Sequence, residues 1–138
     1  MTECLFCRII SGEIPSKQVY ADDLSYAFLD VEPWQEGHTL VVPRRHVDHA
    51  LVDAHVLADV APALLAVSNL LRDRLGATGF NILTNVGPDS GQAVFHAHVH
   101  VLPRHADAPG ISNMRGLIHR DLDEVHAVLM GPGGSGRA

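Results

Sequence analysis

The stretch "FHAHVHV", residues 95–101, places three histidines, His96, His98 and His100, at alternate positions. In an extended chain successive side chains point to opposite faces and alternate ones share a face about 6.5 to 7 Å apart, so the three imidazoles form one row. Phe95, Ala97, Val99 and Val101 then make an apolar face that reads as core. Residues 94–102 are therefore predicted as a half-buried strand with its histidines on the polar side. Three roles fit such a row: a metal cage, a set of acid–base or nucleophilic groups, or polar residues on a solvated sheet face.

The rest of the chain narrows the setting. With 138 residues, 46% of them hydrophobic, it is long enough for one compact domain, expected over 1–130, and "GPGGSGRA" at 131–138 has the composition of a flexible tail. The formal charge is −6 and the basic residues occur in short pairs such as Arg44-Arg45, so no nucleic-acid partner is expected. No run reaches 18 apolar residues, and the first ten residues carry Glu3 and Arg8 in place of a basic segment followed by an apolar one. No membrane partner is expected, and the location reads as cytoplasmic. In that compartment Cys4 and Cys7 read as thiols or metal ligands and not as a structural disulfide. His49, His55, His119 and His126 lie in polar or helical stretches and read as solvated.

Periodicity supplies the elements. "FCRIISGEIPSK" has apolar residues at helical spacing until Gly12 and Pro15 stop it, which predicts a short N-terminal helix. Strand-like runs follow at 17–22, 25–31, 37–43 and 79–85, and the histidine strand completes five. Val60, Leu64, Val67, Leu71 and Leu75 mark a long helix with Asp59 as candidate N-cap, Pro62 in its first turn and Gly76 as its stop. A short helix is predicted at 121–130. The class is α+β with an antiparallel sheet.

Before the histidines, Gly87, Gly91 and Gln92 form a polar turn able to present backbone N–H groups to an anion. Neutral imidazole is nucleophilic near pH 7, so an anion-binding turn followed by imidazoles suits attack on phosphorus. "GQAVFHAHVHVLPR" resembles the His-φ-His-φ-His-φ-φ signature of the histidine-triad (HIT) nucleotide-binding family, and the pattern is similar to that of its bacterial, Hint-like members. The resemblance spans roughly residues 3–104 and includes "CLFCRIISGEIPSK", "SYAFLDVEPWQEGHTLVVPRRH" and "GFNILTNVGPDSGQ". It implies a HIT-like fold, a five-stranded antiparallel sheet with a long helix and a short N-terminal helix, commonly assembled as a homodimer. It also implies transfer of a nucleotidyl group to the middle histidine and then to water.

Residue by residue, the resemblance makes His98 the nucleophile, with His100, His38 and Gln92 assisting. Asp30 would take the ribose hydroxyls, a task suited to two acceptor oxygens. Asn85, Gly91 and Ala93 would lie along the phosphate and leaving group. Phe6, Ile9, Phe28 and Val31 would wall the base, though each would serve as ordinary core. The substrate implied is a purine nucleotide conjugate, such as an adenosine phosphoramidate or a dinucleotide, with AMP or GMP as product and no organic cofactor. Cys4, Cys7, His46 and His96 would hold a structural zinc, since mixed thiolate and imidazole donors suit that ion. Ala93 departs from the pattern, where relatives usually carry Ser or Thr. A nucleotide-binding regulatory protein with little turnover is the alternative, and a catalytic metal held by the three histidines is a third reading.

Overall fold

The computed structural model describes residues 3–112 and 114–132. Helix α1 (Leu5–Ile10) leads into strands β1 (Gln18–Ala21), β2 (Ser25–Leu29) and β3 (Thr39–Pro43). Helix α2 (His55–Leu75), strands β4 (Gly79–Leu83) and β5 (Val99–Arg104) and helix α3 (Leu122–Met130) follow. The strands form one antiparallel sheet in the order β1-β2-β3-β5-β4. The expected fold and all five expected strands are present. Of the 131–138 segment, only Gly131 and Pro132 lie within the described residues.

The strand alternation divides the core in two. Ala27, Val41, Val99 and Val101 meet Val60, Ala63, Val67 and Leu71 of α2 on one face. Tyr26, Phe28, Leu40 and Val42 meet Phe6 and Ile9 of α1 on the other. Leu40 pairs with His100 across β3 and β5, and cross-strand partners share a face, so His100 points to the α1 side. That side is covered, which corrects the expectation of a polar strand face: His96, His98 and His100 are all buried, whereas Phe95, read as core, is 46% exposed.

The histidine segment is also less regular than its pattern. β5 begins only at Val99, so His96 and His98 stand on an irregular approach. The register that sets Val41 opposite Val99 would bring Ala97 opposite Pro43, which has no N–H to continue the ladder. The Ala97 N–H instead donates to the Val47 carbonyl (2.8 Å), and the Pro43 carbonyl is taken by His96 Nε2 (2.8 Å).

Helix α2 starts four residues before Asp59. Asp53, not Asp59, accepts the His55 N–H (2.8 Å), while Arg45 ties Asp53 (3.0 Å) to Asp59 (3.6 Å). Pro62 consequently lies inside the helix and not in its first turn. It is tolerated because Pro62 and Ala58, whose carbonyl loses its bond, are both on the exposed side. The buried stripe is Val56, Val60, Ala63, Val67 and Leu71, and Leu75, expected to continue it, is 48% exposed. Gly76 ends the helix in the left-handed region, as expected.

Candidate active site

A cavity of about 470 Å³ opens between α1, the end of β2 and the histidine segment. Phe6, Ile9, Phe28 and Leu40 give it an apolar wall, and Asp30, Asn85, His98 and His100 supply polar groups. Val31 is 90% exposed and stands at the mouth, not in the wall.

The backbone fixes the tautomer of His98. Its Nδ1–H donates to the His96 carbonyl (2.7 Å), which leaves the Nε2 lone pair unprotonated. The Phe6 ring meets the imidazole edge-on at 5.1 Å. Burial pushes the His98 pKa below the ordinary histidine value, against the opposing effects of the His96 carbonyl and the Asp30 carboxylate, so the ring is neutral at pH 7.

His38, on the last residue before β3, is 1% exposed and sits behind His100. The Trp34 backbone N–H donates to His38 Nδ1 (3.1 Å), so in the neutral ring Nε2 carries the proton. His38 Nε2–H then donates to His100 Nδ1 (2.9 Å), which places the His100 proton on Nε2. That Nε2 is buried without a partner among the described residues. Burial first, then the neighbouring His98 and His38, lower the His100 pKa to about 4 against the pull of Asp30. His100 therefore lines the cavity as a neutral ring whose Nε2–H is unpartnered, an arrangement a bound anion would complete.

Asp30 keeps Oδ2 3.6 Å from His38 Nε2 and accepts the Glu32 N–H at Oδ1 (2.8 Å). Asp30, His38 and His100 come within metal-ligating range of one another. The tautomers oppose a metal there: an ion would need the lone pair of His38 Nε2, and the Trp34 amide keeps the proton on that nitrogen. The reading of the three triad histidines as a metal cage fails on geometry too, because His96 turns to a different cluster.

The glycine turn corrects a second expectation. Its N–H groups are spent internally: Gly87 donates to Gln92 Oε1 (2.9 Å), Gly91 to the Pro88 carbonyl (3.0 Å) and Gln92 to the Gly87 carbonyl (3.3 Å). Gln92 Nε2 donates to the carbonyls of Asp48 (2.6 Å) and Val94 (3.0 Å). Gln92 is thus a buried strut that fastens this turn to the loop after β3, and it does not line the cavity, unlike Gly91, Ala93 and Asn85. Sequence reasoning passed over Trp34, which lines the cavity and stacks on His100 with ring centres 4.9 Å apart and planes 15° from parallel. The available signal was the chain's lone tryptophan, four residues before His38 and between two strand-like runs.

Cys4, Cys7, His46 and His96 form the second cluster. Cys4 caps α1 by accepting the Cys7 N–H at Sγ (3.4 Å). Because His96 Nε2–H donates to the Pro43 carbonyl, its Nδ1 lone pair faces Cys4 Sγ (3.4 Å), Cys7 Sγ (3.5 Å) and His46 Nδ1 (3.3 Å). Cys7 Sγ lies 3.5 Å from His46 Nδ1, and Asp48 stands 3.6 Å from the other nitrogen of His46. Tetrahedral bonds of about 2.3 Å to sulfur and about 2.0 to 2.1 Å to nitrogen imply S···N edges near 3.5 Å and N···N edges near 3.4 Å. The four distances given match those edges, all four donors lie within 4.8 Å of one another, and each imidazole has a partner that orients it, so the set fits a divalent metal.

A HIT domain model matches residues 11–107. The chain is 35% identical over 114 residues to adenosine 5′-monophosphoramidase HNT1 of Candida albicans, a match covering 78% of this chain and 74% of that one. The crystal structure of a HIT family member from Bacillus subtilis superposes with a TM-score of 0.78 at 34% identity, covering 93% of this chain and 95% of that one. A Zn-bound histidine triad family protein from Mycobacterium smegmatis superposes with a TM-score of 0.70 at 38% identity, covering 75% and 76%. With the matched residues spanning all five strands and the histidines of both clusters, and the Bacillus subtilis structure covering 93% of the chain, the chain belongs to the HIT family of nucleotide-binding and hydrolase-like proteins.

Proposed function

We propose that the chain hydrolyses a purine nucleotide conjugate at its α-phosphate through a nucleotidyl-histidine intermediate. The observation that carries this is the pairing, in one nucleotide-sized cavity, of an unprotonated His98 Nε2 with the unpartnered Nε2–H of His100. In the first step the Nε2 lone pair of His98 bonds the α-phosphorus while His98 keeps its Nδ1–H on the His96 carbonyl. The bond to the leaving group breaks, and the departing atom takes the bonding pair and a proton from solvent. In the second step a water oxygen attacks phosphorus and loses a proton to solvent. The P–N bond breaks, its pair returns to Nε2, and a mononucleotide is released. His100 donates to a phosphoryl oxygen in both steps, where charge builds on that oxygen. Asp30 lies at the cavity wall, where a ribose could use its carboxylate, and the apolar wall suits a purine.

The phosphoramidase activity named for the Candida relative supports a phosphoramidate as the substrate, with a dinucleotide as the alternative conjugate. Cys4, Cys7, His46 and His96 would hold zinc; four protein donors close its shell, so the ion supplies structural cross-linking. The zinc-bound Mycobacterium relative supports that choice, and thiolate ligands suit the reducing cytoplasm. The working assembly is a homodimer. A second reading, nucleotide binding with little turnover, is favoured by one feature: on the side of the cavity formed by Ala93 there is a methyl group and no hydroxyl. Quenching a reaction with labelled adenosine phosphoramidate at alkaline pH separates the two. Nucleotide bound to histidine supports the hydrolase, and a stable complex with neither adduct nor product supports the binding protein.

A further inference from the structure

Trp34 touches the His38–His100 pair in two ways that a turn residue has no structural need to do. Its backbone N–H bonds His38 Nδ1 (3.1 Å), and its ring covers His100 in a near-parallel stack while tilting 50° over His38 at 4.9 Å. The ring is 59% exposed, so its outer face meets solvent and its inner face separates that solvent from two buried imidazoles. We propose that Trp34 is a positioning residue: its amide sets the direction of the His38-to-His100 hydrogen-bond chain, and its indole shields that chain from water, so that His100 presents Nε2–H to the substrate phosphate. This rests on the hydrolase reading above.

The direction follows from donor counting. An N–H at His38 Nδ1 leaves only Nε2 to carry the proton, and a donor at His100 Nδ1 leaves only Nε2 there. Reversing either ring would set two donors, or two lone pairs, against each other in a dry site. The shielding follows from packing. The groups facing His100 are His98 on the approach to β5, His38 before β3 and Asp30 after β2, with Arg104 acting on His38. Against these, Trp34 sets a flat apolar surface stacked on the His100 ring. Removing the ring admits water, stabilises the imidazolium, and converts the donor of a neutral ring into a titrating group.

The test uses the full chain. In wild type without nucleotide, ring ¹⁵N shifts should show Nε2–H on both His38 and His100; a proton on Nδ1 of either overturns the proposal. Trp34→Ala keeps the amide and removes the ring, and the exposure of Trp34 means that no core cavity results. The His100 titration should then move up by about one pH unit or more, and the acid limb of kcat on adenosine phosphoramidate should move with it. At pH 4 the neutral fraction of His100 should fall from about half in wild type to about a tenth in Trp34→Ala, a roughly fivefold difference. Trp34→Phe, which restores a ring, should return both curves toward wild type. A Trp34→Ala protein whose histidine titration and acid limb overlay the wild type would reduce Trp34 to a cavity wall. The ¹⁵N and titration measurements need no substrate, so they decide the proposal even if the protein hydrolyses no nucleotide.

Discussion

At the scale of single residues, the chemistry divides among three histidines by what each one's second nitrogen and backbone are doing. His98→Asn should abolish turnover and leave mononucleotide affinity within a few fold, because the imidazole is needed for bond formation while the apolar wall and Asp30 do the holding. Single-turnover kinetics with calorimetric binding measures both, and a variant keeping a tenth of the wild-type rate would remove His98 from the nucleophile's role. Ala93→Ser adds a donor at the cavity edge. A hydrogen bond to developing charge is worth roughly 1.5 to 3 kcal/mol, or about ten- to a hundredfold in rate if it forms only in the transition state. The gain should be largest with poor leaving groups, and an unchanged kcat across a leaving-group series would show that the missing hydroxyl limits nothing. His100 also makes stability depend on pH. Its pKa falls from 6.5 to about 4 on folding, so between those values the unfolded chain binds more protons and stability drops as pH falls. Complete traversal of that window costs about 3 kcal/mol from this group. Urea midpoints at pH 7 and pH 4.5 should show the drop, and His100→Gln should reduce it, leaving the share of His38 and His98, which burial also holds below the ordinary value.

At the scale of elements, sequence periodicity located the sheet and the long helix because alternation and 3.6-residue spacing are local properties. What it placed wrongly was set by partners far along the chain. The histidine run has perfect strand alternation, yet β5 starts at Val99 because Pro43 on the neighbouring strand offers no N–H. Asp59 looked like a cap because it precedes Val60 of the apolar stripe, whereas the helix starts four residues earlier, where Asp53 accepts the His55 N–H and Arg45 holds both carboxylates. Trp34 and the inward-turned amide of Gln92 were illegible for the same reason: their roles lie in contacts to His100 and to the Asp48 carbonyl. The loop that delivers His38 turns on Gly37, whose φ of +89° favours glycine. A Cβ there would also come within 2.8 Å of the Leu75 side-chain tip, which can swing aside, and 3.1 Å of Leu71. Gly37→Ala should therefore cost about 1 to 3 kcal/mol from backbone strain, read as a lower denaturation midpoint, and should slow turnover by displacing His38.

Across the whole molecule, the Cys4, Cys7, His46 and His96 cluster joins α1, the loop after β3 and the approach to β5, segments up to 92 residues apart in sequence. Purified protein should contain about one zinc per chain, and replacing Cys4 and Cys7 together by Ser should release it and lower the Tm, since binding energy at a site formed by folding is folding energy. Activity per folded molecule should fall much less. Complete loss of activity at unchanged Tm would instead make the metal catalytic. The reason for separating the two effects is His96, whose ring points to the metal donors while its carbonyl receives the His98 Nδ1–H. The ring is specified by the codon at position 96, whereas a main-chain carbonyl is present with any amino acid there. A lineage could therefore lose its metal by ordinary point mutations, one ligand at a time, without passing through an ancestor whose nucleophile had lost its acceptor.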